Sequence, residues 1–302
     1  MNAARPSLDR NFLNRFGILI ALFTLALVLS VTTDSFASAS NLTNVARQVS
    51  INGILAVGVT FVLLTGGVDL SLGSVVALSG VACATFAHPG DHSVFVPIAV
   101  GLLTGAACGL VNGTLVTLGG VAPFIVTLGM MTIARGLALI FSGGRPVADM
   151  SNELTALAGD FVGIPIPVLC FAGVALAAWF FLSNFRLGRH IYAVGGNENA
   201  ARAAGVPVEQ VKLFAYGLCG LLAGLAGVVL AARITTGQPN AGQAYELDAI
   251  AAVVIGGTSL AGGVGTITGT LLGVLLIGVI NNGLDLQGVS SYYQAVIKGV
   301  II

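Results

Sequence analysis

Long apolar stretches alternate with short polar ones along almost the whole chain. Many of these stretches approach or exceed the roughly 18 residues that an α-helix needs to cross a bilayer. We therefore expect an all-α fold, a polytopic transmembrane helical bundle of about ten spans that forms a single domain over residues 1–302. The predicted spans are 16–33, 49–65, 70–87, 94–118, 121–141, 164–182, 213–232, 249–262, 264–281 and 290 onward, the last of which looks truncated.

Composition agrees with a membrane protein and excludes several other classes. Hydrophobic residues make up 56% of the chain and charged residues 8%, with a mean hydropathy of +0.98, whereas charged residues form about a quarter of a soluble domain. The net charge is zero, so no nucleic-acid partner is indicated. The sequence has no Walker A loop, no H-E-x-x-H and no G-x-S-x-G, so we expect no catalytic residue, no metal and no cofactor bound by this chain.

Cysteine, histidine and glycine are all expected to have structural roles. The four cysteines fall inside predicted spans without paired spacing, which is typical of packing residues. The two histidines of HPGDH (88–92) flank Pro and Gly, which break a helix, so we expect an exposed loop and not a metal site. Glycines at three- and four-residue spacing in GLCGLLAGLAG (217–227) and GTITGTLLG (265–273) favour close helix packing within one bundle over a contact between two copies.

The basic residues predict the orientation of the chain in the membrane. Basic residues concentrate on the cytoplasmic side of membrane proteins. Ten spans place the N-terminus and the segment 183–212 on the same side, and these two regions hold Arg5, Arg10, Arg15, Arg186, Arg189, Arg202 and Lys212. We therefore expect a cytoplasmic N-terminus, a cytoplasmic loop at 183–212 and an outer loop at 142–163.

Two glycine-containing motifs interrupt apolar runs in different halves of the chain. GGVDLSLG (66–73) and GGTSLAGG (256–263) share the pattern G-G-x-x-L-x-x-G. Paired breaks of this kind are typical of transporters built from inverted repeats, in which broken helices lie near the substrate path. Chance similarity in a glycine-rich chain is the alternative explanation.

Polar side chains inside predicted spans are candidates for a translocation path, because they are costly in lipid unless they are paired or face water. These residues are Asp69, Asn112, Asn281 and Asn282. Asp69 has an alternative role as the N-cap of the next span, and the asparagines have an alternative role in hydrogen bonds between helices. Glu246, Asp248 and Asp285 lie near span ends, so the charged relay of a self-powered carrier is not evident.

The segment GGNENAARAAG (195–205) is too polar to face lipid. It predicts a short helix over 197–204, with Asn197 as N-cap and Gly205 as C-terminal stop. Glu198 and Arg202 lie four residues apart and can pair on the surface of that helix. The segment is either a solvated connector or a docking helix for a cytoplasmic partner.

Four motifs give a family resemblance that extends over almost the full length. GGVDLSLGS, LGRHIYAVGGNENAARAAGV, YELDAIAAVVIGGTSLAGG and NNGLDLQGVSSYYQ resemble, in order, the ribose-type sugar permeases of bacterial ATP-binding-cassette importers. The resemblance implies a type II-like permease in the bacterial inner membrane that performs no chemistry itself. It also implies three partners, namely a second permease copy, a periplasmic sugar-binding protein and a cytoplasmic ATPase that binds the ATP and Mg²⁺.

The resemblance implies roles for three groups of residues. A coupling segment that contacts the ATPase would comprise Gly188, Arg189, Gly195, Gly196, Asn197, Glu198, Ala201, Arg202 and Gly205. The substrate path would include Asp69, Ser71, Asn112, Phe124, Asn281 and Asn282. The outer loops 142–163 and 233–248 would contact the binding protein through Arg145, Asp149, Glu153, Glu246 and Asp248. A branched-chain amino-acid permease of the same type and a self-powered sugar transporter are the alternatives.

Overall fold

The computed structural model describes residues 10–301, without the side chains of residues 10–16, 291, 295, 298 and 301. The described chain is mostly helical. Its helices are α1 (Arg10–Thr32), α2 (Ala39–Leu64), α3 (Leu72–Thr85), α4 (Phe95–Thr117), α5 (Pro123–Ser142), α6 (Asn152–Thr155), α7 (Ile166–Asn184), α8 (Arg186–Gly196), α9 (Glu198–Ala203), α10 (Val208–Ile234), α11 (Tyr245–Ile255), α12 (Ile267–Leu286) and α13 (Ser291–Ile301). A short 3₁₀ helix, Ala156–Ala158, follows α6.

A helix lies at each of the ten predicted spans, but the helices differ in length. Among the described residues, six helices are long and apolar enough to cross a membrane, namely α2, α4, α5, α7, α10 and α12. Gly17–Thr32 of α1 and the whole of α3 form shorter apolar helices, and α11 has only 11 residues. The multi-span membrane fold is therefore confirmed, while the number ten and the inverted repeats stay predictions.

Both glycine-containing motifs coincide with real breaks between helices. The first interruption, residues 65–71, separates α2 from α3, and the second interruption, residues 256–266, separates α11 from α12. Gly66 has a φ of 77° and Gly262 a φ of 89°, values in the left-handed region that a residue with a Cβ adopts only under strain. The predicted span 249–262 was too long for this reason, since the helix ends at Ile255.

Glycine faces allow the central helices to approach closely. Helix α10 packs against α2, α3 and α4 at the centre of the bundle. Gly105 and Gly109 of α4 face Gly220 of α10 so closely that a Cβ on any of them would meet backbone atoms of the other helix. Gly269 and Gly273 of α12 pack in the same way against α11. The predicted role of glycine in packing within one chain is confirmed.

One part of the chain differs from the all-α expectation. Strands β1 (Asp160–Phe161) and β2 (Ile164–Pro165) form a two-stranded antiparallel ribbon in the loop before α7. The connecting residues Val162 and Gly163 both have positive φ, 53° and 78°. Two consecutive residues in that region produce the tight turn that suits the twist of a hairpin, and hydropathy gives no signal for such a turn.

Candidate functional site

The segment 195–205 folds as its sequence predicts. Helix α9 begins at Glu198, and the Asn197 side chain accepts a hydrogen bond of 3.0 Å from the backbone amide of Ala200. Gly205 has a φ of 82° after the last turn, which is the usual way in which glycine ends a helix. Ala201 is buried against the bundle, so α9 is fixed on one face and presents its polar face outward.

The charged residues of α9 belong to a network that is larger than the predicted pair. Glu198 and Arg202 are 3.4 Å apart, as expected for residues four apart on a helix. Lys212 of α10 donates a shorter hydrogen bond of 2.6 Å to the other Glu198 oxygen, and Arg202 also pairs with Glu209. The hydrogen bond from Lys212 is the main reason why the pKa of Glu198 lies below its ordinary value. These contacts attach α9 to the first turns of α10.

Gly195 joins this segment to both interruptions of the bundle. It lies so close to the Leu64 carbonyl oxygen and the Gly263 amide nitrogen that a Cβ would not fit there. The Gly263 amide in turn donates a hydrogen bond of 3.0 Å to the Leu64 carbonyl. Gly262 packs against Gly66 at the same place. We call this contact of residues 64–66, 195 and 262–263 the glycine junction.

The other residues of the predicted coupling segment have different surroundings. Gly196 follows directly but has open space around the position of a Cβ. Gly188 packs tightly against Leu182 at the turn between α7 and α8. Arg189 is exposed and donates a long hydrogen bond of 3.5 Å to the Asn184 carbonyl.

A tyrosine that was not among the predicted site residues adds a further contact beside the glycine junction. Tyr192 donates a hydrogen bond of 3.0 Å to the Gly265 carbonyl of the second interruption. The side chain lies on α8, three residues before Gly195. Its role follows only from the tertiary contact, and the LGRHIYAVGG motif is the one signal of it in the sequence.

Three of the predicted path residues form one buried cluster. Asp69 accepts hydrogen bonds from the Ser71 amide (2.9 Å) and the Ser71 hydroxyl (2.6 Å), and Asn112 donates to the same hydroxyl at 3.0 Å. All three side chains are 0–1% exposed, so the cluster is closed to solvent in this conformation. Asp69 also makes the bond of its alternative role, because its carboxylate accepts a hydrogen bond from the backbone amide two residues on at the entrance to α3, where Ser71 makes no side-chain cap bond.

The remaining path residues lie elsewhere. Asn282 of α12 and Asn41 of α2 exchange two hydrogen bonds of 2.8 and 3.0 Å, which is the alternative role in a contact between helices. Asn281 donates a bond of 3.4 Å to the buried Asp248. Phe124 is exposed in the first turn of α5. The structure therefore does not gather the six predicted path residues into one place, and their role in a path stays a prediction.

The two predicted outer loops contact each other. Val147 and Gly237 exchange backbone hydrogen bonds of 3.0 and 2.8 Å, which join loop 142–163 to loop 233–248. Of the five residues predicted to contact a binding protein, Arg145, Asp149 and Glu153 are exposed. Glu246 is half-buried, and Asp248 is only 5% exposed. These two acidic residues lie beneath the surface because α11 begins inside the bundle.

The four cysteines lie in helices, as predicted, and the two histidines of residues 88–92 lie in the loop between α3 and α4. All four cysteines are free, and Cys83 and Cys219 are fully buried among apolar side chains. The described residues contain no cluster of acidic residues, histidines or cysteines that could hold a metal. His88 contacts the Asp149 carbonyl at 3.1 Å, and His92 is exposed.

Comparison with known proteins gives relatives over nearly the whole chain. The sequence profile of the family described as branched-chain amino acid transport system / permease component matches residues 41–302. The ribose import permease protein RbsC of Escherichia coli (strain K12) is 49% identical over 289 residues, which cover 94% of this chain and 90% of that protein. RbsC of Bacillus subtilis (strain 168) is 46% identical, covering 96% and 91% of the two chains. The D-allose transport system permease protein AlsC of Escherichia coli (strain K12) is 40% identical, covering 94% and 86%. No solved structure gives a significant match.

Proposed function

This chain belongs to the branched-chain amino acid transport system / permease component family, and on that premise we propose that it is the permease subunit of an ATP-driven importer for a monosaccharide. The observation that carries the proposal is an identity of 46–49% to ribose import permeases over at least 94% of the chain. A relative named for D-allose transport, at 40% identity, supports a sugar as the substrate class. The chain supplies a path through the membrane and performs no chemistry on the sugar.

The importer requires partners that supply energy and substrate. We assign ATP hydrolysis to a separate cytoplasmic ATPase, which holds the ATP and Mg²⁺, and substrate delivery to a periplasmic sugar-binding protein. Two copies of the permease form the path between them in the bacterial inner membrane. The N-terminus and the segment 195–205 face the cytoplasm, since basic residues concentrate there. Arg145, Asp149 and Glu153 are placed on the opposite side, where the binding protein docks.

The glycine junction supports a coupling role for the segment 195–205. The polar face of α9 is available to a partner, while Ala201 and Gly195 are held by the bundle. Gly195 contacts the ends of both interrupted helix pairs, so a displacement of α9 by the ATPase moves the two interruptions together. In alternating access, the permease opens first to one side of the membrane and then to the other as the nucleotide bound to the ATPase changes.

Uptake by the reconstituted importer tests the proposal. The permease and its ATPase are reconstituted in vesicles with ATP inside, the binding protein is added outside, and entry of labelled D-ribose is measured. We expect the vesicles to accumulate ribose against its concentration gradient, and we expect this accumulation to require both ATP and the binding protein. Vesicles that contain the permease alone serve as the control.

Two results would contradict the proposal. Accumulation by the permease alone, driven by an ion gradient, would indicate a self-powered carrier. ATP-dependent accumulation of leucine without accumulation of any sugar would indicate an amino-acid permease, the substrate class named in the family description.

A further inference from the structure

The segment between α10 and α11 enters the bundle and does not stay at its surface. Gly237 packs against Gly80 and Ala84 near the end of α3, whereas Gly242 packs against Gly73 near its start. The backbone from 237 to 242 therefore runs along α3 in the opposite direction. Helix α11 consequently starts deep in the bundle, next to the start of α3. Broken helices that begin inside a transporter are where substrate sites are commonly built.

Arg135 holds this entering segment from the other side. Its guanidinium Nη1 donates hydrogen bonds of 2.6 Å to the Pro239 carbonyl and 2.8 Å to the Ala241 carbonyl. Arg135 lies seven residues before the end of α5 at Ser142, which places it about 10 Å along the helix from that end. An arginine at such depth is costly in lipid, and a functional role is the default explanation.

A pocket of about 370 Å³ with both polar and apolar lining lies between α5, the start of α3 and the start of α11. Pockets that hold small molecules range from roughly 300 to 1,000 Å³. Its polar lining consists of Ser74, Thr132, Arg135, Gln243 and Glu246. The Glu246 carboxylate lies against Gly73 at the start of α3, where a Cβ on the glycine would meet it. The pocket thus contains hydroxyl, amide, cationic and anionic groups within a mostly apolar bundle.

We propose that this pocket binds the sugar during its passage through the permease, with Glu246 and Arg135 as the recognition groups. The inference rests on the proposed function and adds a location to it. Among the described salt bridges there is none between Arg135 and Glu246, so neither charge is neutralised by direct contact with the other. A sugar hydroxyl is both donor and acceptor, so it can donate to the carboxylate and accept from the guanidinium at the same time.

The residues that line the pocket are not those that the sequence predicted for the substrate path. Asp69, Ser71 and Asn112 are closed off from solvent, whereas Thr132 and Gln243 are exposed at the pocket. Arg135 lies inside the predicted span 121–141, where its charge is the signal that could have marked it as a candidate for the path. Glu246 was assigned by resemblance to an outer contact, and its half-buried position in the pocket favours contact with the sugar instead.

Protection of an introduced cysteine tests whether the sugar occupies the pocket. Thr132→Cys is compared with Thr114→Cys, because both threonines are exposed and both bond to a carbonyl of their own helix. In the complete importer, we expect D-ribose at ten times its Kd to slow thiol labelling of T132C roughly tenfold, since about a tenth of the sites stay free. Labelling of T114C and of the native cysteines should not change. Equal slowing at both positions, no slowing at T132C, or protection by leucine and not by sugars would overturn the proposal.

A transport measurement on Glu246 provides a second test that does not depend on labelling. Glu246→Gln keeps the shape of the side chain but removes the charge. The loss of a charged hydrogen-bond acceptor should lower the maximal rate of D-ribose uptake about tenfold. Asp91→Asn removes an exposed negative charge outside the pocket and serves as the control, with unchanged uptake expected.

The two tests separate the pocket from the proposed function. Either normal uptake by E246Q or unprotected T132C would reject the pocket and leave the importer function intact. No ATP-driven uptake by the unmodified importer would reject both.

Discussion

Neighbouring glycines in the segment 195–205 have very different environments. Gly195 is enclosed by backbone atoms of Leu64 and Gly263, whereas Gly196 has no atom near the position of a Cβ. Neither residue has positive φ, so the contrast is one of space and not of backbone conformation. The pair therefore separates the effect of the glycine junction from the effect of losing a glycine in this helix.

Alanine at position 195 should disrupt coupling, and alanine at 196 should not. Gly195→Ala forces backbone atoms apart, and overpacking of this kind costs about 1–3 kcal/mol. We expect a lower melting temperature and a reduced rate of ATP-dependent uptake for G195A. G196A should match the unmodified protein in both measurements. Equal behaviour of the two variants would show that the junction has no role.

The sequence predicts residue contacts well when they are local. The cap at Asn197, the stop at Gly205 and the pair of Glu198 and Arg202 all depend on neighbours within a few residues, and the structure contains each of them. Arg135 bonds to carbonyls more than a hundred residues away. The charge of Arg135 inside the predicted span 121–141 marks the residue itself, but no spacing rule connects it to these partners, so the pocket could not be predicted from the pattern.

At the scale of elements, hydropathy finds the helices but not their interruptions in full. The apolar pattern continues from α11 through GGTSLAGG, so a window average predicts one span from 249 to 262. The helix ends at Ile255 because Gly257, Gly262 and Gly263 adopt positive φ. Backbone conformation of this kind depends on close contacts with other segments, and hydropathy does not report those contacts.

The amide pair between α2 and α12 should stabilise the contact of these two helices. Asn282→Ala removes both bonds of the pair and leaves the Asn41 amide only its bond to the Phe36 carbonyl. Bonds of this kind between membrane helices contribute about 0.6 kcal/mol on average and about 1.7 at most. We expect a lower melting temperature of the detergent-solubilised protein for N282A and for N41A. In the double variant the losses should not add, because each single change already removes the same pair of bonds.

A different outcome would revive the other role of Asn282. If N282A has normal stability but slow uptake, the side chain contacts the substrate in another conformation. Additive losses in the double variant would show that each asparagine has its own partner.

At the scale of the whole molecule, the contacts between distant segments lie at two ends of the bundle. One end holds the glycine junction and the segment 195–205, and the other holds the joined loops 142–163 and 233–248. The topology predicted from basic residues puts these two ends on opposite sides of the membrane, and that orientation stays a prediction. The resemblance to sugar permeases could be seen in the sequence because its motifs are long and separated, whereas the number of spans could not be fixed, since α3 and α11 are shorter than a bilayer crossing.

Labelling of single cysteines in intact cells should place the two ends on opposite sides. Val162→Cys lies at the turn of the β-ribbon and Asn199→Cys lies on α9, and both positions are exposed. A maleimide that cannot cross the inner membrane should label V162C in spheroplasts. It should label N199C only after the membrane is opened. The reverse pattern would invert the predicted orientation. Labelling of both positions in intact spheroplasts would place them on the same side of the membrane and contradict the predicted topology.

The bond between Gly263 and Leu64, with Gly195 beside it, has a consequence for leakage. A pore that admits sugar from one side must close on the other before it opens, or ions would pass freely. On the proposed coupling role, a displacement of Gly195 would move both broken helix pairs together, because this one backbone contact joins them. The permease would then switch as a unit, which would keep half-open states rare and preserve the ion gradients of the cell.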